Sequence, residues 1–129
     1  MSQTTTLILL PQTAYRNPGN GAPYTVVGNA QPAASYYLGN RDLQTVNISC
    51  SNTTGNIVIQ ASLANPATTD NQWFDVYELD ANANSSSSSN PFANSNASVY
   101  TNVTGNFVYI RAKIVDFQGG IVNFVKLSY

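Results

Sequence analysis

Histidine is absent from this chain and cysteine occurs once, at Cys50. Without histidine there is no Ser-His-Asp or Cys-His relay, no His-rich zinc site and no imidazole base. One thiol can neither close an intramolecular disulfide nor build a Cys-ligated metal site. Four of the six acidic residues gather in one place, Asp70, Asp75, Glu78 and Asp80. A hard cation such as calcium needs several oxygens that converge. Along an extended strand Asp75 and Glu78 point to opposite faces, so a solvated sheet edge is the expected reading and no metal is expected. A glycosidase needs two carboxylates paired across a cleft, and nothing in the spacing provides them. Gly19-Asn20-Gly21 lacks the third glycine and the following helix of a phosphate-binding loop. The chain is therefore expected to be no enzyme and to carry no cofactor.

The remaining candidates are aromatic. Trp73 and Tyr77 alternate with Asp75 and would share a strand face with it. Tyr36 and Tyr37 are adjacent in a strand-like run and would point oppositely, exposing one of them. An aromatic ring beside polar side chains on a sheet can seat a sugar or anchor a protein contact. The competing reading is that Trp73 is a core residue. Arg111 and Lys113 flank Tyr109 on the outward side of an alternating run, positioned as solvated charges or as partners for Asp75 or Glu78.

The elements that must position these residues read as strands throughout. Val108, Ile110, Ala112 and Ile114 alternate with Phe107, Tyr109, Arg111, Lys113 and Val115, the period of a half-buried strand. Gln118-Gly119-Gly120 supplies turn chemistry, and Ile121 to Leu127 returns as a second strand, so the stretch reads as a long antiparallel hairpin. Upstream, Leu7–Leu10, Tyr24–Val27, Ala34–Leu38, Leu43–Cys50, Ile57–Leu63, Trp73–Leu79 and the face Val99, Thr101, Val103 are strand-like. They are punctuated by Pro18-Gly19, Asn20-Gly21, Gly28-Asn29, Gly39-Asn40 and Asn65-Pro66. Ile110, Ile114, Ile57, Ile59 and Val125 are the expected core. The fold class is all-β: an antiparallel, jelly-roll-like β-sandwich of eight to nine short strands. Residues 1–6 read as a polar N-terminal arm, residues 7–129 as a single domain, and residues 81–96 as a Ser/Asn-rich surface loop.

Composition agrees. Only 9% of the 129 residues are charged, with a net charge of −1, and Asn, Ser, Thr, Gln and Gly stand where helix-surface Lys and Glu would be. There is no basic patch for nucleic acid and no apolar run near the ~20 residues of a membrane-spanning helix. Leu7–Leu10 stops at Pro11 with no cation before it, unlike a signal peptide. Cys50 shares a face with Val46 and Ile48 and reads as a small core hydrophobe.

The C-terminal pattern carries a resemblance. Gly105-Asn106-Phe107-Val108-Tyr109-Ile110-Arg111-Ala112-Lys113-Ile114, then Gly119-Gly120-Ile121, then Val125-Lys126-Leu127-Ser128-Tyr129, resembles the ending of small virion structural proteins of tailed bacteriophages, those of marine and cyanobacterial phages above all. Ile57 to Leu63 followed by Trp73-Phe74-Asp75-Val76 resembles their central strands. The resemblance covers about the second half of the chain and consists of strand pattern. It implies a β-sandwich attached to a capsid, neck, tail or fibre, made in the host cytoplasm and assembled into the virion. Within that family the expected role is head decoration or cementing in many copies. The expected partners are the major capsid or other virion proteins and further copies of the chain. The arm residues Ser2, Gln3, Thr4, Thr5 and Thr6 are candidate contacts. The rival of another class is a carbohydrate-binding β-sandwich for host attachment, using Trp73 or Tyr36.

Overall fold

A computed structural model describes residues 6–34, 42–64, 70–80 and 96–129. Within them the chain forms eight strands: β1 (Thr6–Leu10), β2 (Thr13–Ala14), β3 (Tyr24–Val27), β4 (Gln31–Pro32), β5 (Leu43–Ser62), β6 (Trp73–Asp80), β7 (Asn96–Thr104) and β8 (Tyr109–Ser128). A single 3-10 turn, Asp70–Gln72, leads into β6. The protein is an antiparallel β-sandwich.

Two strands of 20 residues each, β5 and β8, organise the whole molecule. They pair antiparallel from Thr45↔Ser128 to Ser62↔Tyr109 and run through both layers of the sandwich. In the first layer the order is β1, the C-terminal half of β8, the N-terminal half of β5, then β7; β2 continues the β1 edge. In the second it is β3, the N-terminal half of β8, the C-terminal half of β5, then β6; β4 continues the β3 edge.

The sequence signals at the midpoints are real but do a different job from the one expected of them. Gln118-Gly119-Gly120 does not reverse the chain. β8 passes straight through it, so the expected hairpin is one bent strand. Likewise Gly55, a residue suited to a turn, lies at a bend inside β5, which runs unbroken through it. The register between the two strands slips at Ser49/Cys50, Ser51/Thr54 and Thr54/Asn56, and Gly55, Asp116 and Gly120 take positive φ. Extra residues on one strand of a pair bend it and sharpen its twist, which folds one sheet over onto itself. Thr53, fully buried at the bend, donates its hydroxyl to Ile121 O at 3.0 Å and ties the two bends together.

Each slip also switches which parity faces inward. In β5 the inward set is Val46, Ile48 and Cys50 before the bend, then Ile57, Ile59 and Ala61 after it. In β8 it is Ile110, Ala112 and Ile114, then Phe117, Val122, Val125 and Leu127. All belong to one apolar core between the layers, with Leu9, Leu10, Leu79 and Val103, and the five expected core residues are all fully buried. Replacing Ile110 with Ala removes its buried methyl and methylene groups and leaves a cavity, so the denaturation free energy should fall by about 2–5 kcal/mol. An unchanged urea midpoint would put Ile110 on the outer face.

Two polar devices close the sandwich. Gln44, 1% exposed, accepts from Ala34 N and donates to Asp42 O and Val103 O, each at 3.0 Å. Across the β1/β3 edge, Gly28 N donates to Ala112 O (2.8 Å) in the second layer and Asn29 N to Leu9 O (2.7 Å) in the first. Gln31 adds a side-chain bond to Ile8 O at 3.0 Å. A Cβ on Gly28 would collide with the carbonyl oxygen of Leu9 and lie 3.0 Å from that of Ala112, so only glycine allows this approach.

Cys50 lies fully buried among the inward residues of β5. Desolvation pushes its thiol up from 9.0 to about 11, partly countered by a hydrogen bond with Thr53. It is a packed hydrophobe, not a nucleophile.

Candidate functional site

The aromatic candidates part company on β6. Register along β5 and β6 slips between Ile59 and Gln60, leaving Val76 as the extra residue. On one side of the slip Tyr77 opposes Ile59 and Leu79 opposes Ile57, so both face the core. On the other side Trp73 opposes Ser62 and Asp75 opposes Gln60, on the outer face. The alternation expected to unite Trp73, Asp75 and Tyr77 is therefore broken: Tyr77 is half-buried against the core, while Trp73 stays half-exposed on the outside.

Around Trp73 the outer face of the second layer carries a connected polar group. The Arg111 guanidinium lies over the indole, 4.3 Å from its centroid. Arg111 Nε donates to Gln60 Oε1 (2.9 Å), and Gln60 Nε2 donates to Asp75 Oδ1 (2.8 Å). The amide of Gln60, only 6% exposed, thus has its acceptor end on the cation and its donor end on the anion, the one orientation that satisfies both. From the sequence Arg111 and Lys113 were either solvated charges or partners for Asp75 or Glu78; in the structure Gln60 stands between Arg111 and Asp75. Lys113 and Glu78 flank Val58 in the next row.

The outer face of the first layer is different in kind. It is a field of short, uncharged polar side chains that bond to one another across strands. Thr45 donates to Asn102 (2.8 Å), Ser98 to Asn47 (3.0 Å), and Asn123 to both Ser49 and Ser51 (3.2 Å each). Thr6 and Ser128 share a 3.1 Å bond. The one charged side chain among these rows, Lys126, stacks on Phe124 at 4.3 Å. Tyr100, 73% exposed, stands beside Asn47. Period-two alternation already placed these Asn, Ser and Thr residues opposite Val46, Ile48 and Cys50; what the sequence lacked was the knowledge that β5, β7 and β8 are neighbours.

Other candidates fall elsewhere. Thr6 belongs to β1, paired with Ser128, whereas Ser2, Gln3, Thr4 and Thr5 lie outside the described residues, as do Tyr36, Tyr37 and residues 81–95 of the Ser/Asn-rich stretch. The side chains of Asp70 and Asp80 also lie outside them. Among the described residues no three His, Cys, Asp or Glu residues come together as a metal site.

No protein-family model matches the chain, and no curated protein matches it in sequence. The chain is similar to solved structures of low sequence identity. The SPBc2 prophage-derived protein YomS superposes with a TM-score of 0.54 at 16% identity, over 98% of this chain and 91% of that one. Family 29 carbohydrate-binding module CBM29_1 of Piromyces equi gives 0.47 at 11% identity, over 98% and 91%. The C-terminal CBM6 of the laminarinase LamC of Zobellia galactanivorans gives 0.45 at 11%, over 98% and 100%.

Proposed function

We propose that this chain is a non-enzymatic structural protein of a phage particle, decorating the head in many copies through the outer face of its first layer. The observation that carries the reading is the cross-bonded Asn/Ser/Thr field of β5, β7 and β8. Short side chains already held by their neighbours lose little rotamer freedom on docking, so less of the contact energy is spent on ordering them. A nearly uncharged face buries no unpaired ion and sets up little repulsion between crowded identical copies. The C-terminal strand pattern and the fold shared with a prophage-derived protein support the phage assignment. A neck, tail or fibre position uses the same surface on a different partner.

Placing a charge in this field should abolish binding. Ser49→Glu mixed with undecorated heads is expected to bind at least ~10-fold fewer copies than wild type, because the new carboxylate is desolvated without a partner. Thr25→Glu, exposed on β3 in the second layer, should bind as wild type does. Equal occupancy for Ser49→Glu rejects the first-layer face. Binding of the wild type to tails but not heads moves the protein along the particle.

The outer face of the second layer favours one rival reading. Trp73, with Arg111, Gln60 and Asp75 beside it, combines a ring with fixed donors and acceptors, the ingredients of a saccharide subsite. Glycan binding by the wild type that Trp73→Ala eliminates, together with indifference to phage heads, would establish it over decoration.

A further inference from the structure

The two layers end in four edges, and among the described residues three of them are interrupted. The β1/β2 edge slips at Ile8/Leu10 and is broken by Pro11. The β3/β4 edge slips at Tyr24/Val26 and contains Pro32. β6 slips at Val76 and carries Asp75 and Glu78. These are the usual devices that keep a sheet edge from pairing with another chain. β7 has none of them. Its nine residues, Asn-Ala-Ser-Val-Tyr-Thr-Asn-Val-Thr, include no charge, proline or glycine, and they pair with β5 from Leu43↔Thr104 to Ser51↔Asn96 without one slip.

The side of β7 that no other described strand pairs with can be assigned residue by residue. Just beyond the strand, Gly105 N donates to Asp42 O at 2.9 Å, so that pair is a hydrogen-bonded one. Antiparallel ladders alternate hydrogen-bonded and non-bonded pairs. Val103, Thr101 and Val99 therefore turn their amides toward β5, while Thr104, Asn102, Tyr100 and Ser98 turn theirs outward. Tyr100 sits at the middle of the strand and, at 73%, is the most exposed large hydrophobic residue among the described residues.

We infer that β7 is a homotypic docking edge: two copies of this chain pair antiparallel, β7 to β7, about a two-fold axis at Tyr100. In that register outward-facing residues meet outward-facing residues, with Tyr100 against its counterpart and Ser98 against Asn102. Five such pairs, each exchanging two bonds, give about ten main-chain hydrogen bonds. The first layer becomes one continuous eight-stranded sheet, and each apolar inner face stays inner. Charge selects the occupant. A β7 pair brings no like charges together, whereas a β6 pair would set Asp75 and Glu78 against their own copies. A β7-to-β6 contact is heterologous and would propagate into a ring or a filament rather than stop at two copies. The inference rests on the edge alone and stands whether or not the particle-binding reading holds.

The test uses the full chain in sedimentation equilibrium from about 1 to 100 μM, the range that resolves a micromolar dimer. Wild type is expected to sediment as a dimer. Tyr100→Pro removes an outward amide without costing a β5–β7 bond, since proline is tolerated where an edge N–H faces solvent; it should be monomeric. Tyr100→Lys and Tyr100→Glu each set like charges against each other at the axis and should be monomeric alone, while an equimolar mixture of the two should dimerise again. That last result does not depend on the proline variant folding. A monomeric wild type, a Tyr100→Pro dimer, or a charge-swapped mixture that stays monomeric would overturn the inference.

Discussion

Phe117→Ala should be the most damaging truncation among the described residues, costing about 3–5 kcal/mol. Phe117 is the largest fully buried side chain among them. It sits beside Asp116, whose positive φ marks the bend in β8. Its ring meets Tyr15 and Tyr24 edge-on at 5.7 and 5.8 Å, and those two stack on each other at 5.4 Å. Tyr15 donates its hydroxyl to Ala22 O (2.8 Å) and Tyr24 accepts from Arg16 N (2.9 Å), so the cluster also fixes the loop between β2 and β3. Removing the phenyl ring leaves a cavity that two anchored tyrosines cannot collapse into, and forfeits two edge-to-face contacts beyond the area term. At an m-value near ~1.5 kcal/mol/M the urea midpoint should drop by about 2 M or more. A fall of less than half a molar would mean that the bend is held by the β5–β8 ladder alone.

Gly28→Ala should cost about 3 kcal/mol, an effect out of scale with adding one methyl group. The methyl would strike backbone carbonyl oxygens of Leu9 and Ala112, and backbone cannot rotate aside as a flexible side chain can. Overpacking at such a site costs on the order of 1–3 kcal/mol, and pushing the segment outward also weakens the Gly28–Ala112 and Asn29–Leu9 bonds, each worth about 1 kcal/mol. The site-specific check is amide exchange. In the variant the Gly28 and Asn29 amides should lose protection ahead of Ile48 or Ile59 in the central strand. Uniform loss at all four positions would show that the clasp and the core open together.

The alternation of Ile57, Ile59, Ala61 and of Ile110, Ala112, Ile114 was legible because each run lies between bends and keeps one parity. What period-two reading could not see is a bulge. At Val76 one extra residue swaps faces, so Trp73 and Asp75 leave the side that Tyr77 occupies. Nothing local marks it: Trp-Phe-Asp-Val-Tyr contains no glycine or proline. At Gly119-Gly120 the local chemistry was read correctly as permitting positive φ, yet the same permission serves a reversal or a bend. The choice was made elsewhere, by β5 offering a partner on both sides of the glycines. The Asn/Ser/Thr field was visible as composition and invisible as a surface for the same reason: its bonds between β5, β7 and β8 join residues 51 to 74 positions apart, such as Thr45 to Asn102 and Asn123 to Ser49.

β8 lies at the centre of both layers, and it is the last of the eight strands to leave the ribosome. Among the described residues β1, β2, β3 and β4 have no partner strand except β8. While translation proceeds, β5 can gather β6 and then β7, but the first four strands must wait with Leu9 and Leu10 uncovered. Neither layer can close early and neither can serve as a template for the other. A polypeptide arrested just before Tyr109 therefore contains seven of the eight described strands and no closed sandwich. Closure waits for β8, which joins residues from 77 (Pro32↔Tyr109) to 122 (Thr6↔Ser128) positions apart, and contacts of such separation slow folding.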